Sequence, residues 1–585
     1  MDWGIDMRRW RLTSNQLYIV IVVEVMMMFH CSLVSINHVE DIKNDPIFPA
    51  FPSSPFPINK MTITTSSTPK SQKQLRFLVI GAGSRGDAYG KAVTTATPGV
   101  IHAVAEPHTF KRREFGRNYI WGEHAPSEGQ EFSHWNEWLE WELKRRENPT
   151  STAVGVDGVF ICSLDETHVG ILLAIAPLNL HILCEKPLAI SLQDCLSIYR
   201  ALTPSDGGDP SKIFSIGHVL RYSPHNILLR KLLLSDNVIG DIVSLEHCEP
   251  VGWWHFSHSY VRGNWRRETG NGDGSLLTKS CHDIDFILWL LCSPPPGADA
   301  SHPPHHPRSI SSSGNLTQFR PSRKPALAGS ATNCLSCPAE RECNYSALKI
   351  YRDMHLRKGK TEWPIDIICP DLEDTLVSQG KEKAENLLLS RLSEDYDATT
   401  TPSNLISSRP WYGRCVYESD NTVCDDQIVT MTWDDEPPLP SSRFPPRTAK
   451  TASFHMIAPT QKQCERRGIV YGTRGELSYD SYSIRYYSFD TQTTTVVDVP
   501  KQPPEEAKSH GGGDYGLARG FVGAVEAVEN GGWEVGDAQR AFVGCTLEEA
   551  VRSHAVVFAA EEARREEKVV RWREWWERKL GSAAA

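Results

Sequence analysis

LRFLVIGAGSRGDAYG, residues 75–90, decides how the chain begins to fold. Six residues of strand character run into GAGSRG (Gly81–Gly86) and then into a helical segment from Asp87. In a dinucleotide-binding βαβ unit, glycines at these places allow the tight turn and let the backbone approach a pyrophosphate. They also permit close strand–helix packing, and the helix N-terminus adds positive potential. Gly81, Gly83, Ser84, Arg85 and Gly86 are therefore candidate cofactor-binding residues. Such a glycine pattern alone is weak, but a second strand, VIHAVAE, ends in Glu106, where a carboxylate would bind the adenosine ribose hydroxyls. Glu106 favours NAD, because a carboxylate repels a 2′-phosphate, while Lys111, Arg112 and Arg113 keep NADP open.

Outward from this stretch, short apolar runs alternate with helix-length segments as far as Gly217. The runs at 75–80, 100–105, 158–163, 181–184 and 212–217 do not alternate in polarity, as expected of a parallel sheet covered on both faces. The expected fold class is an α/β Rossmann domain with a doubly wound parallel sheet, at 75–220. An α+β domain on a mostly antiparallel sheet follows at 221–560, with strands at 242–250, 428–433, 451–458 and 483–489. Stretches near 293–330, 375–410 and 434–450 read as disordered insertions, and 561–585 as a charged helix and tail.

Residues 1–74 read as a largely disordered extension. Arg8, Arg9 and Arg11 precede the apolar run 17–29, as in a signal peptide or signal anchor. Glu24 interrupts that run, which falls short of the roughly 20 residues a spanning helix needs. The expectation is a cytoplasmic protein without a membrane partner, the targeting reading of 8–35 staying open. Hydrophobic residues at 40% and charged residues at 23% suit a soluble globular chain, and a net charge of −10 argues against a nucleic-acid partner.

Three further stretches carry chemistry. ICSLDETH (161–168) ends a strand at the crevice edge, so Ser163, Asp165 and His168 are candidate cofactor contacts, with helix capping the competing reading. LCEKPLAI (183–190) places Glu185 and Lys186 at the same edge. A lysine there suits proton transfer to or from an alcohol or carbonyl, although an isolated Glu-Lys pair is more often a surface ion pair. In KSCHDID (279–285), Lys279, His282, Asp283 and Asp285 crowd two helical turns, with His282 and Asp285 on one face.

The order GAGSRG, EKP about a hundred residues later, then H-x-x-D opening an apolar helix resembles the Gfo/Idh/MocA oxidoreductases, such as glucose–fructose oxidoreductase and inositol 2-dehydrogenase. The resemblance spans about 75–560 outside the insertions. It implies a second sheet with an open face that mediates homo-oligomerisation in many members. It also implies Lys186 beside the nicotinamide and the substrate hydroxyl, and His282 as the acid/base group. The family pattern has an Asp four residues before the histidine; in this chain Thr278 stands there, so the proton relay does not carry over directly, and Lys279 is expected to take a polar role towards substrate.

The implied activity is NAD(P)-dependent hydride transfer at a secondary alcohol or carbonyl of a sugar or polyol. Alternatives are an NAD-dependent glycoside hydrolase of the same fold and a non-catalytic dinucleotide-sensing regulator; the latter has no need of EKP and H-x-x-D. In GWWHFSHSYVRGNWRR (252–267), Trp254, His255, Arg262 and Trp265 are candidate substrate contacts, since aromatic faces stack on sugar C–H surfaces and polar groups bind hydroxyls. His510 and Asp514 are placed within reach of the same cleft. No catalytic metal is expected. Cys334, Cys337 and Cys343, with Cys415 or Cys424, form an incomplete zinc pattern, for which free thiols are the favoured reading.

Overall fold

The computed structural model describes residues 72–584 except 149, 205–209, 270–272, 296, 299–301 and 439–443. The apolar run at 17–29 and its targeting reading lie outside the described residues. No described helix is long and apolar enough to cross a membrane.

The first sheet contains β1 (Arg76–Ile80), β2 (Val100–Ala105), β3 (Glu131–Phe132), β4 (Gly158–Ile161), β5 (His181–Cys184) and β6 (Phe214–Ile216). They stand in the order β3-β2-β1-β4-β5-β6, and every pairing is parallel. Phe77, Leu78, Val79 and Ile80 are all buried, as a strand covered on both faces requires. The order reverses between β1 and β4, so the crevice opens at their carboxyl ends. Helix α1 (Ser84–Ala96) follows β1 directly. Helix α2 (Leu192–Leu202) is capped by Ser191, whose hydroxyl accepts from the Asp194 N–H.

The second sheet has nine strands: β7 (Ile242–Pro250), β8 (Ser309–Asn315), β9 (Asp426–Trp433), β10 (Lys450–Ile457), β11 (Arg467–Gly472), β12 (Gly475–Asp480), β13 (Ile484–Ser488), β14 (Thr493–Val497) and β15 (Val570–Arg571). Their order is β14-β13-β12-β11-β7-β10-β9-β8-β15. Neighbours run antiparallel except β7 and β10, which are parallel. Along β12, Gly475, Leu477 and Tyr479 are buried while Glu476, Ser478 and Asp480 are exposed, so one face is core and the other open. Helix α3 (Cys281–Leu291) packs on the core face, where Phe286 meets the rings of His247 and Tyr479.

In two of the expected disordered insertions the described residues form secondary structure. The stretch 293–330 supplies β8, paired along its length with β9. The stretch 375–410 contains helix α4 (Lys381–Ser393). Ala384, Leu388 and Leu392 recur every fourth position and enter a separate apolar core with Ile350, Tyr351, Ile365 and Leu372. In 434–450, Glu436 and Arg447 form an isolated antiparallel bridge.

Helix α5 (Gly513–Glu529) sets the domain boundaries apart from the linear expectation. It covers the first sheet, Phe521 meeting Phe160 edge-on at 5.2 Å and Phe77 at 5.8 Å. Helix α6 (Leu547–Arg565) carries a full capping box at Thr546 and Glu549. The expected charged helix over 561–585 is broken. Glu567 takes a left-handed φ of 49°, β15 follows, and helix α7 (Trp572–Ala584) begins after it with Trp572 and Trp575 buried.

Candidate active site

The glycine-rich turn has the form a dinucleotide needs. Gly81 has φ +93°, and a Cβ there would stand 2.7 Å from the Cys162 carbonyl oxygen. A Cβ on Gly86 would meet the Gly81 oxygen at 2.0 Å, which fixes the close strand–helix approach. A Cβ on Gly83 meets nothing within 4 Å. Gly83 is also the N-cap of α1 and supplies no side-chain cap, so the first amides of α1 face an open approach suited to a pyrophosphate. Glu106 folds over this turn, its carboxylate accepting from the Ala82 and His108 N–H groups at 2.8 Å each. Arg112 is engaged with the Glu106 carbonyl and the Glu131 carboxylate. When bound, the nicotinamide dinucleotide would supply or accept hydride. The backbone at Gly81–Gly86 and the Glu106 carboxylate are the groups suited to hold it.

Arg85 and Glu185, expected at the cofactor, turn their side chains inward instead. Arg85 Nε donates to Glu185 Oε1 at 2.8 Å, and its terminal nitrogens donate to Asp514 at 2.7 and 3.2 Å. The Tyr89 hydroxyl donates to the same Glu185 oxygen at 2.6 Å. Burial opposes ionisation of Glu185 and Asp514, but Arg85 overrides it and holds both below the usual carboxylate range. The cluster is a clasp joining the glycine turn, the EKP turn and α5, with His510 resting on Asp514 at 3.0 Å.

His168 departs from expectation in the same way. It is fully buried, and its ring nitrogens lie 2.8 Å from the Pro187 carbonyl and 3.2 Å from the Ser163 carbonyl. It ties two crevice loops together and presents no free nitrogen to a ligand. Ser163 Oγ pairs with Thr167 Oγ1 at 2.7 Å. Asp165 accepts from Trp265 Nε1 at 2.8 Å, so Trp265 reaches from the second domain to the crevice edge of the first.

Lys186 is the group of EKP that faces the other domain. Its Nζ donates to the Thr278 carbonyl at 2.8 Å, which brings the EKP turn against the turn before α3. His282 stands on the first turn of α3, buried. Arg466 Nη2 donates to its Nε2 at 2.8 Å, while Nδ1 is buried with no partner. Burial, with nearby Arg466, Lys186 and Lys279, pulls the His282 pKa well below the ordinary histidine value, so the ring is neutral. Arg466 also donates to Glu249 at 2.6 Å and to Asp283 at 2.7 Å. Glu249, His282 and Asp283 bring three donor atoms within 4.8 Å of one another, and the Arg466 guanidinium already bridges them. Lys279 is buried, 3.1 Å from Glu249 and 3.2 Å from Cys464 Sγ; burial lowers its pKa, yet these partners raise it above the ordinary value. Cys464 has φ +56° and also contacts His255 Nδ1 at 3.4 Å.

Several expected substrate contacts lie elsewhere. Asp285 is bound through both oxygens by Arg221, at 2.7 and 2.8 Å, beneath the site, so the H-x-x-D pair is not a dyad. Asp283 is closed off between Arg466 and His247. Trp254 packs on His355 and Trp363 at 4.9 and 5.1 Å, facing the separate core. Arg262 donates to the Arg414 and Tyr345 carbonyls, away from the cleft. His255 and Lys279 remain at the site through Cys464.

Glu249, Cys464 and Arg466 were not anticipated. A signal for Glu249 exists: Leu245, His247 and Glu249 share the buried face of β7, and two polar residues on a core face need partners. Arg466 and Cys464 lie in a loop between β10 and β11, and only the strand pairing brings them to α3.

Together these features define a two-domain protein with a dinucleotide-type crevice in the first domain and a buried Lys–His–Arg cluster closing it from the second. Residues 75–206 match the model of an oxidoreductase family with an NAD-binding Rossmann fold, and residues 231–305 match that family's C-terminal alpha/beta domain. Both matches are to the Gfo/Idh/MocA oxidoreductases. The protein YteT of Bacillus subtilis (strain 168) is 24% identical over 250 residues, 40% of this chain and 54% of that protein. Inositol 2-dehydrogenase 2 of Paenarthrobacter aurescens (strain TC1) is 30% identical over 140 residues, 24% of this chain and 38% of that one. The chain thus spans about half, or less, of the length of the curated relatives it matches. Among solved structures, an inositol dehydrogenase homolog complexed with NAD+ from Azotobacter vinelandii superposes with a TM-score of 0.52 at 13% identity, over 86% of this chain and 99% of that one. At that identity the likeness concerns the fold.

Proposed function

We propose that the protein is an oxidoreductase using NAD(H) in preference to NADP(H), which moves hydride between the nicotinamide and a secondary alcohol or carbonyl of a polyol or sugar. The observation that carries this reading is the Lys186 Nζ to Thr278 carbonyl bond, which sets the EKP lysine against the turn that launches His282. Glu106 over the glycine turn, with Arg112 engaged elsewhere, favours the unphosphorylated ribose. The relationship to an inositol 2-dehydrogenase supports a polyol as the first substrate to try.

In this reading Lys186 exchanges the proton with the reacting oxygen. His282 cannot serve as the simple base expected from the family pattern, because its Nε2 lone pair already accepts from Arg466. Its proton is on Nδ1, where it can donate a hydrogen bond to the substrate oxygen and hold it towards Lys186. Trp265 and the Lys279–Cys464–His255 group form the wall that orients the rest of the ring. Among the described cysteines none is in a disulfide. The open face of the second sheet is the surface on which self-association is expected.

A panel of inositols, other polyols and sugars, followed by absorbance of reduced nicotinamide, tests the assignment. Accumulation of reduced NAD with at least one polyol supports it. Turnover of a glycoside without net reduction would favour the hydrolytic alternative.

A further inference from the structure

Three cysteines close in sequence, Cys334, Cys337 and Cys343, and a distant fourth, Cys415, line one small cavity. The cavity measures about 20 Å³, enough for a single ion or water and too small for a cluster. The sequence left the fourth cysteine open between Cys415 and Cys424, and Cys415 is the one on the cavity wall. Its segment is fastened beside Cys334: the Cys415 N–H donates to the Thr332 carbonyl at 2.7 Å, and the Cys334 N–H donates to the Gly413 carbonyl at 2.9 Å. Cys334 opens a short 3₁₀ turn and Cys337 closes it, the two-residue spacing typical of a metal knuckle.

The second observation is a buried cation without an anion. Arg262 lines the same cavity at 1% exposure. It donates to the Arg414 and Tyr345 carbonyls at 2.7 Å each and to Cys334 Sγ at 3.5 Å, while Nη1 has no partner. Among the described residues no carboxylate pairs with it, and the groups that share its cavity include Cys334, Cys337, Cys343 and Cys415. An uncompensated buried charge is costly, on the order of several kcal/mol.

We propose that Cys334, Cys337, Cys343 and Cys415 bind one structural Zn²⁺ as a tetrathiolate, with Arg262 as its buried counter-charge. Binding releases four thiol protons and forms four Zn–S bonds, leaving a net charge of −2 that the guanidinium faces. The sulfurs stand wider apart than in a closed cage, since no three of them come within 4.8 Å of one another. Closing on the ion takes rotation of the thiols about χ1 between staggered wells. The site would fasten the separate core around Ile350 and Leu388 to the helical segment that carries His255.

The test is elemental analysis of the full-length protein, produced with zinc in the medium and dialysed. One zinc per chain is expected. Zinc should fall to near zero in Cys343→Ser and in Cys415→Ser, and stay at one in Cys424→Ser. Because the first two variants could fail to fold, the wild type is also titrated with a mercurial in the presence of a chromogenic zinc indicator. One equivalent should be released as four thiols react, and cobalt exchanged into the protein should show thiolate-to-cobalt charge-transfer absorption. A wild type with no zinc, iron in its place, a Cys334–Cys337 disulfide in mass spectra, or full zinc in both cavity variants would overturn the assignment.

Discussion

Arg466 Nη2 lies 2.8 Å from His282 Nε2, and the same guanidinium binds Glu249 and Asp283. A guanidinium can only donate, so this contact fixes the lone pair of His282 on Nε2 and its proton on Nδ1. Replacing Arg466 with Met removes the donor and leaves Glu249 with Lys279, and Asp283 with His247, as their remaining charged or ring partners. The expected loss of stability is about 3–5 kcal/mol, read as a lowered melting temperature. Any folded fraction should show an acid limb in kcat/KM shifted to higher pH, because a nearby cation that depresses His282 is gone. An unshifted limb would mean that His282 does not meet the substrate oxygen.

Lys186→Ala should lower kcat by on the order of 10²–10⁴-fold while the cofactor still binds, since Lys186 is assigned to proton exchange and the glycine turn to cofactor binding. Steady-state rates with the best polyol and a fluorescence titration with reduced NAD measure the two separately. Full turnover in this variant would remove Lys186 from the mechanism.

Gly83→Ala and Gly86→Ala should part company. At Gly83 an added methyl meets nothing, so the protein alone should melt like the wild type, yet the stabilisation by NAD should fall because the methyl intrudes where the pyrophosphate approaches. At Gly86 the methyl would collide with the Gly81 oxygen, and the protein itself should be destabilised by at least about 1–3 kcal/mol. Thermal melts with and without NAD distinguish the two outcomes.

His554 provides a pH prediction. The Leu188 N–H donates to its Nε2 at 2.9 Å, and Nδ1 lies 2.7 Å from the Ala550 carbonyl, so the neutral ring is fully paired. Burial pulls its pKa from 6.5 down to about 4. The unfolded chain therefore takes up the proton first as the pH falls. The contribution to stability is whole above pH 6.5 and is lost as the pH drops towards 4, roughly 3 kcal/mol in all. Melting temperatures between pH 4.5 and 7 should fall less steeply in His554→Gln; identical slopes would exclude His554 as a source of acid sensitivity.

Much of the first domain was legible because its signals are local. The glycines of 81–86, the uniformly apolar strands and the EKP turn each depend on neighbours within a few residues, and the structure places them in one parallel sheet. The second strand set was also readable where polarity alternates, as in β7 at 242–250. The substrate side was less so. Trp254 and Arg262 have the residue types of a sugar site, but their partners lie in the 334–415 region, which composition presents as a spacer. Arg466 reaches His282 only because β11 pairs with β7, more than 200 residues earlier in the chain, and no local pattern encodes that pairing. Asp285 stands at helical spacing from His282, yet spacing does not tell that Arg221 would claim it.

The packing of α5 on the first sheet has a consequence for how the protein is made. Phe160 and its cover Phe521 are separated by about 360 residues. At translation rates of roughly 5–20 residues per second, one face of that sheet waits about 20–70 s for its cover to emerge. During that interval the nascent Rossmann half exposes an apolar sheet and lacks Asp514, the anchor for Arg85 in the glycine turn. The nucleotide site is thus among the last parts of the first half to be completed, and a fragment ending near residue 220 would be a sticky, unfinished sheet instead of a binding domain.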